Sequence, residues 1–225
     1  MWKNKPGYFI TFEGPEGGGK TSQIPGLIEN LKEKGIDVLV TREPGGTSIG
    51  DQIREVLMNL KNVDMSQNTE VLLFQAARAQ HVDEILNPAL KRDGKLVICD
   101  RFVDSTLAYQ GFGQQRDIAV LNGLITFATA GLKPDLTVLF DLDVVRGIER
   151  KQRSTEWTRL DAYAIQFHKR VRDGYLSLVQ SDPERWIVID ALKSKEEVAK
   201  DLQWEIMTRL EVDGYMEGNR RGVER

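Results

Sequence analysis

Five short apolar runs punctuate the chain, at Tyr8–Phe12, Asp37–Thr41, Lys95–Cys99, Leu136–Asp141 and Trp186–Asp190. Each is rich in Val, Ile, Leu or Phe and lacks strict apolar–polar alternation, the pattern of parallel strands covered on both faces. Between them the spacing predicts helices over about Thr21–Lys34, Ile49–Leu60, Thr69–Arg92, Asp117–Ala130, Val144–Gln152, Thr158–Gln180 and Lys195–Leu210. Gly35 reads as the residue just past the first helix, and Ser194 as an N-cap ahead of two acids. Pro88 predicts a kink or break in the third helix. Strand–helix alternation of this kind predicts an α/β fold with a doubly wound sheet of about five parallel strands and helices on both faces. Residues 1–210 read as one domain, and the polar stretch Glu211–Arg225 as a frayed tail.

The first strand runs straight into Gly14-Pro15-Glu16-Gly17-Gly18-Gly19-Lys20-Thr21, which fits G-x-x-x-x-G-K-[ST]. Glycines there let successive backbone N–H groups turn inward around phosphate oxygens, and Lys20 supplies a cation for the β- and γ-phosphates. Thr21 offers a hydroxyl to Mg²⁺, and the following helix points its positive end at the anion. The fold is thus of the P-loop NTPase type, and Gly14 to Thr21 are the candidate ATP-binding residues.

Composition narrows the partners. The 225 residues carry a formal net charge of −3, so no global field draws the chain to nucleic acid or to an anionic membrane. The one cysteine, Cys99, excludes an internal disulfide and sits in an apolar run as a small hydrophobe. The short apolar patch behind Trp2 is too brief for a signal segment, and no run approaches the roughly 18 apolar residues of a membrane span. A soluble, cytoplasmic protein is expected.

Polar exceptions close the apolar runs where ligands gather in open α/β sheets: Glu13, Arg42, Asp100 with Arg101, and Asp141. Asp100 and Asp141 both follow the apolar-run-then-Asp pattern that reaches Mg²⁺ in P-loop proteins, and the pattern does not choose between them. In Arg42-Glu43-Pro44-Gly45-Gly46-Thr47 a strand end passes into a tight turn, where an arginine can grip a second phosphate. Arg146, Arg150, Lys151, Arg153 and Arg159 form a local basic run, either a solvated helix face or a mobile lid that closes over a transferring phosphoryl group.

Taken in order, the P-loop, Arg42–Thr47, Leu72–Arg78, Asp100-Arg101, Ser105–Gly111, Lys133-Pro134-Asp135 and Arg159-Leu160-Asp161 resemble thymidylate kinases. The resemblance implies transfer of the γ-phosphoryl group of ATP to dTMP with Mg²⁺; Thr21, and Asp100 favoured over Asp141 by the adjacent Arg101, are the metal candidates. It implies Arg42 and Arg101 on the acceptor phosphate and Glu16 on the sugar 3′-hydroxyl. Phe74, otherwise one more core aromatic, would stack on thymine. Arg78, Ser105 and Thr106 would meet the base edge, and Tyr109 would disfavour a ribose. Gly17 follows Glu16 and basic residues lie in the lid (about 146–159), which resembles the bacterial type; Arg150 or Arg153 is then the catalytic cation, beside Lys20, Arg101 and Glu16. Phe102, where the family often has Tyr or His, and Trp157 in the lid depart from the pattern. The resemblance also implies a cis Glu43–Pro44 peptide and a homodimer through helices. Alternative readings are another nucleoside or deoxynucleoside monophosphate kinase, or a P-loop ATPase or regulatory switch without an acceptor.

Overall fold

The computed structural model describes residues 7–92, 95–153 and 157–215; the patch behind Trp2, lid residues 154–156 and tail residues 216–225 lie outside it. In chain order the elements are β1 (Tyr8–Glu13), α1 (Lys20–Glu33), β2 (Val38–Arg42), α2 (Ser48–Met58), α3 (Gln67–His81), β3 (Leu96–Asp100), α4 (Val103–Thr106) and α5 (Ile118–Thr129). There follow β4 (Leu136–Asp141), α6 (Val144–Gln152), α7 (Ile165–Ser181), β5 (Trp186–Asp190) and α8 (Lys195–Val212). The five strands are all parallel, in the order β2-β3-β1-β4-β5.

Alternate residues of the central strands feed separate cores. Ile10, Phe12, Ile98, Val138 and Phe140 pack with Leu27 of α1 and Leu202 and Ile206 of α8. From the opposite face Phe9, Val97 and Cys99 meet Val82 and Leu86, while Leu139 meets Phe167 and Tyr175 of α7. This is the expected three-layer arrangement. The edges differ from expectation, because β2 is only half-buried and Val188 of β5 is exposed. An edge strand has one neighbour, so its apolar run is not evidence of double cover.

Register is what builds the site. Phe12 and Arg42 both pair with Asp100, so β1, β2 and β3 end side by side and deliver Glu13, Arg42 and Asp100-Arg101 to one rim. Two helix ends behave as predicted. Gly35, at φ 76°, lets its own N–H reach Lys32 O and that of Ile36 reach Leu31 O, closing α1. Ser194 and Glu197 form a reciprocal capping box at α8.

Other helices depart from the pattern. The third predicted helix is α-helical only to His81 and then widens into π turns at Val82–Leu86 and Pro88–Arg92, which absorb the proline. The segment Thr158–Ala164 is not helical: Thr158 donates its N–H and its hydroxyl to Asp161, and α7 begins at Ile165. An additional helix, α4 running into a π-helix at Leu107–Gly113, lies outside the predicted helical segments. Its polar Asp104, Ser105, Thr106 and Gln110 hide the helical period.

The P-loop leans on α6 backbone to backbone. A Cβ on Gly147 would lie 2.4 Å from Glu16 O, and one on Gly17 would lie 2.3 Å from Gly147 O. Neither backbone can yield without moving the loop. Gly147→Ala is therefore expected to lower stability by about 1–3 kcal/mol, despite the helix propensity gained. Gly123→Ala in α5, where the new Cβ meets nothing within 4 Å, should instead stabilise slightly. Urea midpoints of the two variants give the comparison, and similar shifts would refute the close approach.

Candidate active site

Gly19, at φ 82°, is the N-cap of α1 and carries no side-chain acceptor, so the first N–H groups of the helix remain directed at the loop. Lys20 is buried beneath that loop and donates to Gly14 O and Pro15 O, both at 3.1 Å. Burial, then the neighbouring Arg101, pull its ammonium down to about 8, against Asp100, Glu16 and Glu13. Thr21 donates its hydroxyl to Asp100 Oδ2 at 2.9 Å. Asp141 is held by a bidentate pair from Arg172, at 2.7 and 2.8 Å. Of the two candidate aspartates, Asp100 is the one beside the P-loop threonine, and Asp141 does not line the cavity.

Across the loop stands Arg101. It adopts φ 69°, an unfavourable conformation for a side-chain-bearing residue. Its guanidinium reaches Gly14 O (3.0 Å), Ser105 Oγ (3.2 Å), Tyr175 OH (3.3 Å) and Glu16 Oε1 (2.7 Å). Tyr109 also donates to Glu16 Oε1, at 2.8 Å. Burial alone would raise the Glu16 carboxyl, but Arg101, then Lys20 and the Tyr109 hydroxyl, outweigh it and hold it at about 2. Arg42 is exposed and pairs with Asp51 at 3.1 Å. The Glu43–Pro44 peptide is cis.

Deeper in, Glu43 lies between two partners, accepting from Arg78 Nε at 2.7 Å and from His81 Nδ1 at 2.9 Å. Arg78 further donates to Gln75 Oε1, Thr106 Oγ1 and Phe102 O. Four of its five N–H groups are thereby engaged, leaving one on Nη2 among the described residues. Phe74 is half-buried on the same wall. Ser105 spends its hydroxyl proton on Glu13 at 2.6 Å.

The basic run divides. Arg146 is exposed and pairs with Glu149, and Arg153 is exposed. Arg150 reaches Ala191 O at 2.9 Å and Gly17 O at 3.5 Å, and Lys151 lies 3.8 Å from Asp161. Arg159 departs from the lid reading: it is buried, ion-paired with Glu70 at 2.5 Å and bonded to Leu57 O at 3.1 Å. A buried guanidinium with such partners anchors the chain and does not swing. Asp135 of Lys133-Pro134-Asp135 likewise serves the fold, accepting the Phe9 N–H at 2.7 Å.

Lys20 and Thr21 of the P-loop, Arg42, Phe74, Arg78, Asp100 and Arg101 line one cavity of about 830 Å³. Two cationic regions, Lys20 and the Arg42–Arg101 pair, face one space. Among the described residues no helix is long and apolar enough to cross a membrane.

The family model for thymidylate kinase matches residues 12–202. The chain is 46% identical over 206 residues to a thymidylate kinase of a Roseiflexus species, covering 86% of this chain and 91% of that protein. It is 45% identical over 208 residues to one of an Exiguobacterium species, covering 92% and 98%. The chain belongs to the thymidylate kinase family. Within the thymidylate kinase frame, residues beyond the sequence-derived set also line the cavity, among them Arg54 and Gln110. Arg54 donates to Pro44 O at 2.9 Å, and burial, then Arg42 and Arg101, lower its pKa. Its signal lay in the spacing Gly50, Arg54, Leu57, which places an arginine on the inward stripe of an amphipathic helix.

Glu16 makes a pH-dependent contribution to stability. Its pKa falls from 4.5 unfolded to about 2 folded, so the contribution is fully present above about 4.5 and is lost as pH drops towards 2. The stability gap between wild type and Glu16→Gln should narrow as denaturation is repeated from pH 5 down to pH 2. A gap independent of pH would contradict the Arg101–Glu16 pairing.

Proposed function

We propose that the protein phosphorylates dTMP to dTDP with ATP as donor, as a cytoplasmic enzyme of nucleotide biosynthesis whose residues 1–210 act as one kinase domain. The observation that carries this reading is the single cavity shared by the P-loop with Lys20 and by Arg42 and Arg101 at the facing strand ends. Two polyanions must meet in line, and cations on both sides offset their repulsion. An oxygen of the dTMP phosphate attacks the γ-phosphorus of ATP, the new P–O bond forms, and the bond to the β-phosphate oxygen breaks as ADP leaves. Lys20 leaves the loop carbonyls for the β- and γ-phosphates, and Gly14 to Thr21 cradle the triphosphate.

Arg42 and Arg101 hold the acceptor phosphate. Glu16 keeps one oxygen for Arg101 and Tyr109 and offers the other to the sugar 3′-hydroxyl. Tyr109 crowds the C2′ position, and Phe74 stacks on the base. The one remaining N–H of Arg78 suits a carbonyl oxygen of a keto pyrimidine, while Thr106 and Ser105 shape the base edge through Arg78 and Arg101. Thr21 and Asp100 fit a Mg²⁺ ion, since a hydroxyl and a carboxylate already 2.9 Å apart at the loop form the hard oxygen set this cation selects. The ion supplies charge neutralisation on the phosphates when bound.

The lid cations Arg150 and Arg153 serve the donor side, while Arg159 stays anchored on Glu70. Arg150 lines the cavity and Arg153 does not, so Arg150 is the stronger candidate for the catalytic cation. Exposed Leu72 on α3 and Val120 and Phe127 on α5, two helices that pack together, support a homodimer through this face.

A panel of nucleoside monophosphates assayed for ADP release with ATP and Mg²⁺ tests the activity; dTMP should be turned over best, and acceptor-independent ATP hydrolysis would refute the reading. Lys20→Ala should lower kcat by orders of magnitude. Arg150→Ala should lower kcat more than it raises KM for either substrate, and more than Arg153→Ala does. Phe127→Glu should halve the mass seen in sedimentation equilibrium; an unchanged mass would remove α5 from the interface.

A further inference from the structure

We propose that Glu13 is a positioning residue for the acceptor arginine: its carboxylate orients the hydroxyls of Ser105 and Tyr175 so that lone pairs, not protons, face Arg101. The inference rests on the functional reading given above. Glu13 ends the central strand β1 and is wholly buried. Oε1 accepts the N–H groups of Phe102 (2.8 Å) and Ser105 (3.3 Å). Phe102 is the N-cap of α4 and has no side-chain acceptor of its own, so a residue from another strand caps the helix that follows Arg101. That fixes the chain on the far side of the strained Arg101 backbone.

Oε2 accepts two hydroxyl groups, from Ser105 at 2.6 Å and Tyr175 at 2.8 Å. Each hydroxyl has one proton. Once both protons are committed to Glu13, the two oxygens present only lone pairs to Arg101 Nη1, 3.2 and 3.3 Å away. A hydroxyl that released Glu13 would turn its proton towards the guanidinium or towards the other hydroxyl, 2.9 Å away. The carboxylate therefore sets the polarity of a relay that ends on the phosphate-binding side chain.

The charge sits in a crowded field. Burial, then Asp104, push the Glu13 carboxyl up to about 7, while Arg101 and the two hydroxyl donors oppose the rise. Asp104 is itself clamped by Arg185 at 2.7 and 3.0 Å, and Lys20, Cys99 and Tyr175 feel Glu13 from α1, β3 and α7. Above pH 7 the group is anionic and the relay has its proposed sense.

Glu13→Gln is the test, at pH 8. The amide oxygen can take the place of Oε1 and keep the helix cap, while the NH₂ at the Oε2 position donates and so reverses both hydroxyls. Expected are a tenfold or greater rise in KM for dTMP, a change in KM for ATP below twofold, and near-wild-type circular dichroism. Calorimetry of dTMP binding, which needs no turnover, should show the same loss in the wild-type background and no further loss when Arg101→Ala is already present. Tyr175→Phe removes one relay hydroxyl and should give a smaller loss that also vanishes with Arg101→Ala; it decides the matter if Glu13→Gln does not fold. Unchanged dTMP affinity in the variant, or an equal loss with and without Arg101, would overturn the proposal alone. A wild-type protein that neither binds nor phosphorylates dTMP would overturn the functional reading and this inference with it.

Discussion

The pairing of Arg101 with Glu16 across the mouth of the P-loop is the contact on which the rest of the site depends. Lys20, Arg42, Arg54 and Arg101 converge on one cavity, and left alone they would repel one another. Carboxylates interleave with them: Glu16 on Arg101, Asp51 on Arg42, and Glu43 on the buried Arg78. Removing one partner of the buried Glu43–Arg78 pair strands a desolvated charge, which costs more than the pair itself contributes. Carboxylates thus hold three of the arginines in place around the cavity.

The fold supplies this arrangement through register and close approach. Parallel strands with in-line ends put Arg42, Asp100 and Glu13 on one rim, and the switch point between β1 and β3 opens the crevice there. The P-loop is wedged on its outer side by the α6 backbone, which fits only because Gly17 and Gly147 carry no side chains. α6 carries Arg150 and Lys151 into the cavity wall, so the P-loop and these two cations share one support.

Much of the architecture was legible in the residues, because the strands are long apolar runs and the P-loop is a dense local motif. Gly35 and Ser194 were readable for the same reason: capping chemistry is local. What escaped depends on partners distant in the chain. Arg159 read as one more cation of a basic run, since nothing nearby announces its buried mate Glu70, 89 positions away. The helix after Arg101 was hidden because its cap, Glu13, comes from another strand. Pro88 read as a kink or break, yet the chain stays helical through it by widening into π turns, a response to packing that pattern does not encode. The two aspartates that look alike in the chain differ in their partners: Arg172 holds Asp141, and Asp100 accepts from Thr21.

The central claim is that Arg101 holds the acceptor phosphate while remaining tied to the donor loop. Steady-state kinetics of Arg101→Lys, with ATP and dTMP varied separately, measures this most directly. Lysine keeps the charge but cannot span Glu16, Gly14 O and a phosphate together. The account predicts a loss of about a hundredfold or more in kcat/KM for dTMP, in line with lost charge-assisted bonds worth about 3 kcal/mol, and little change in KM for ATP. A lysine variant with wild-type kcat/KM for dTMP would contradict it.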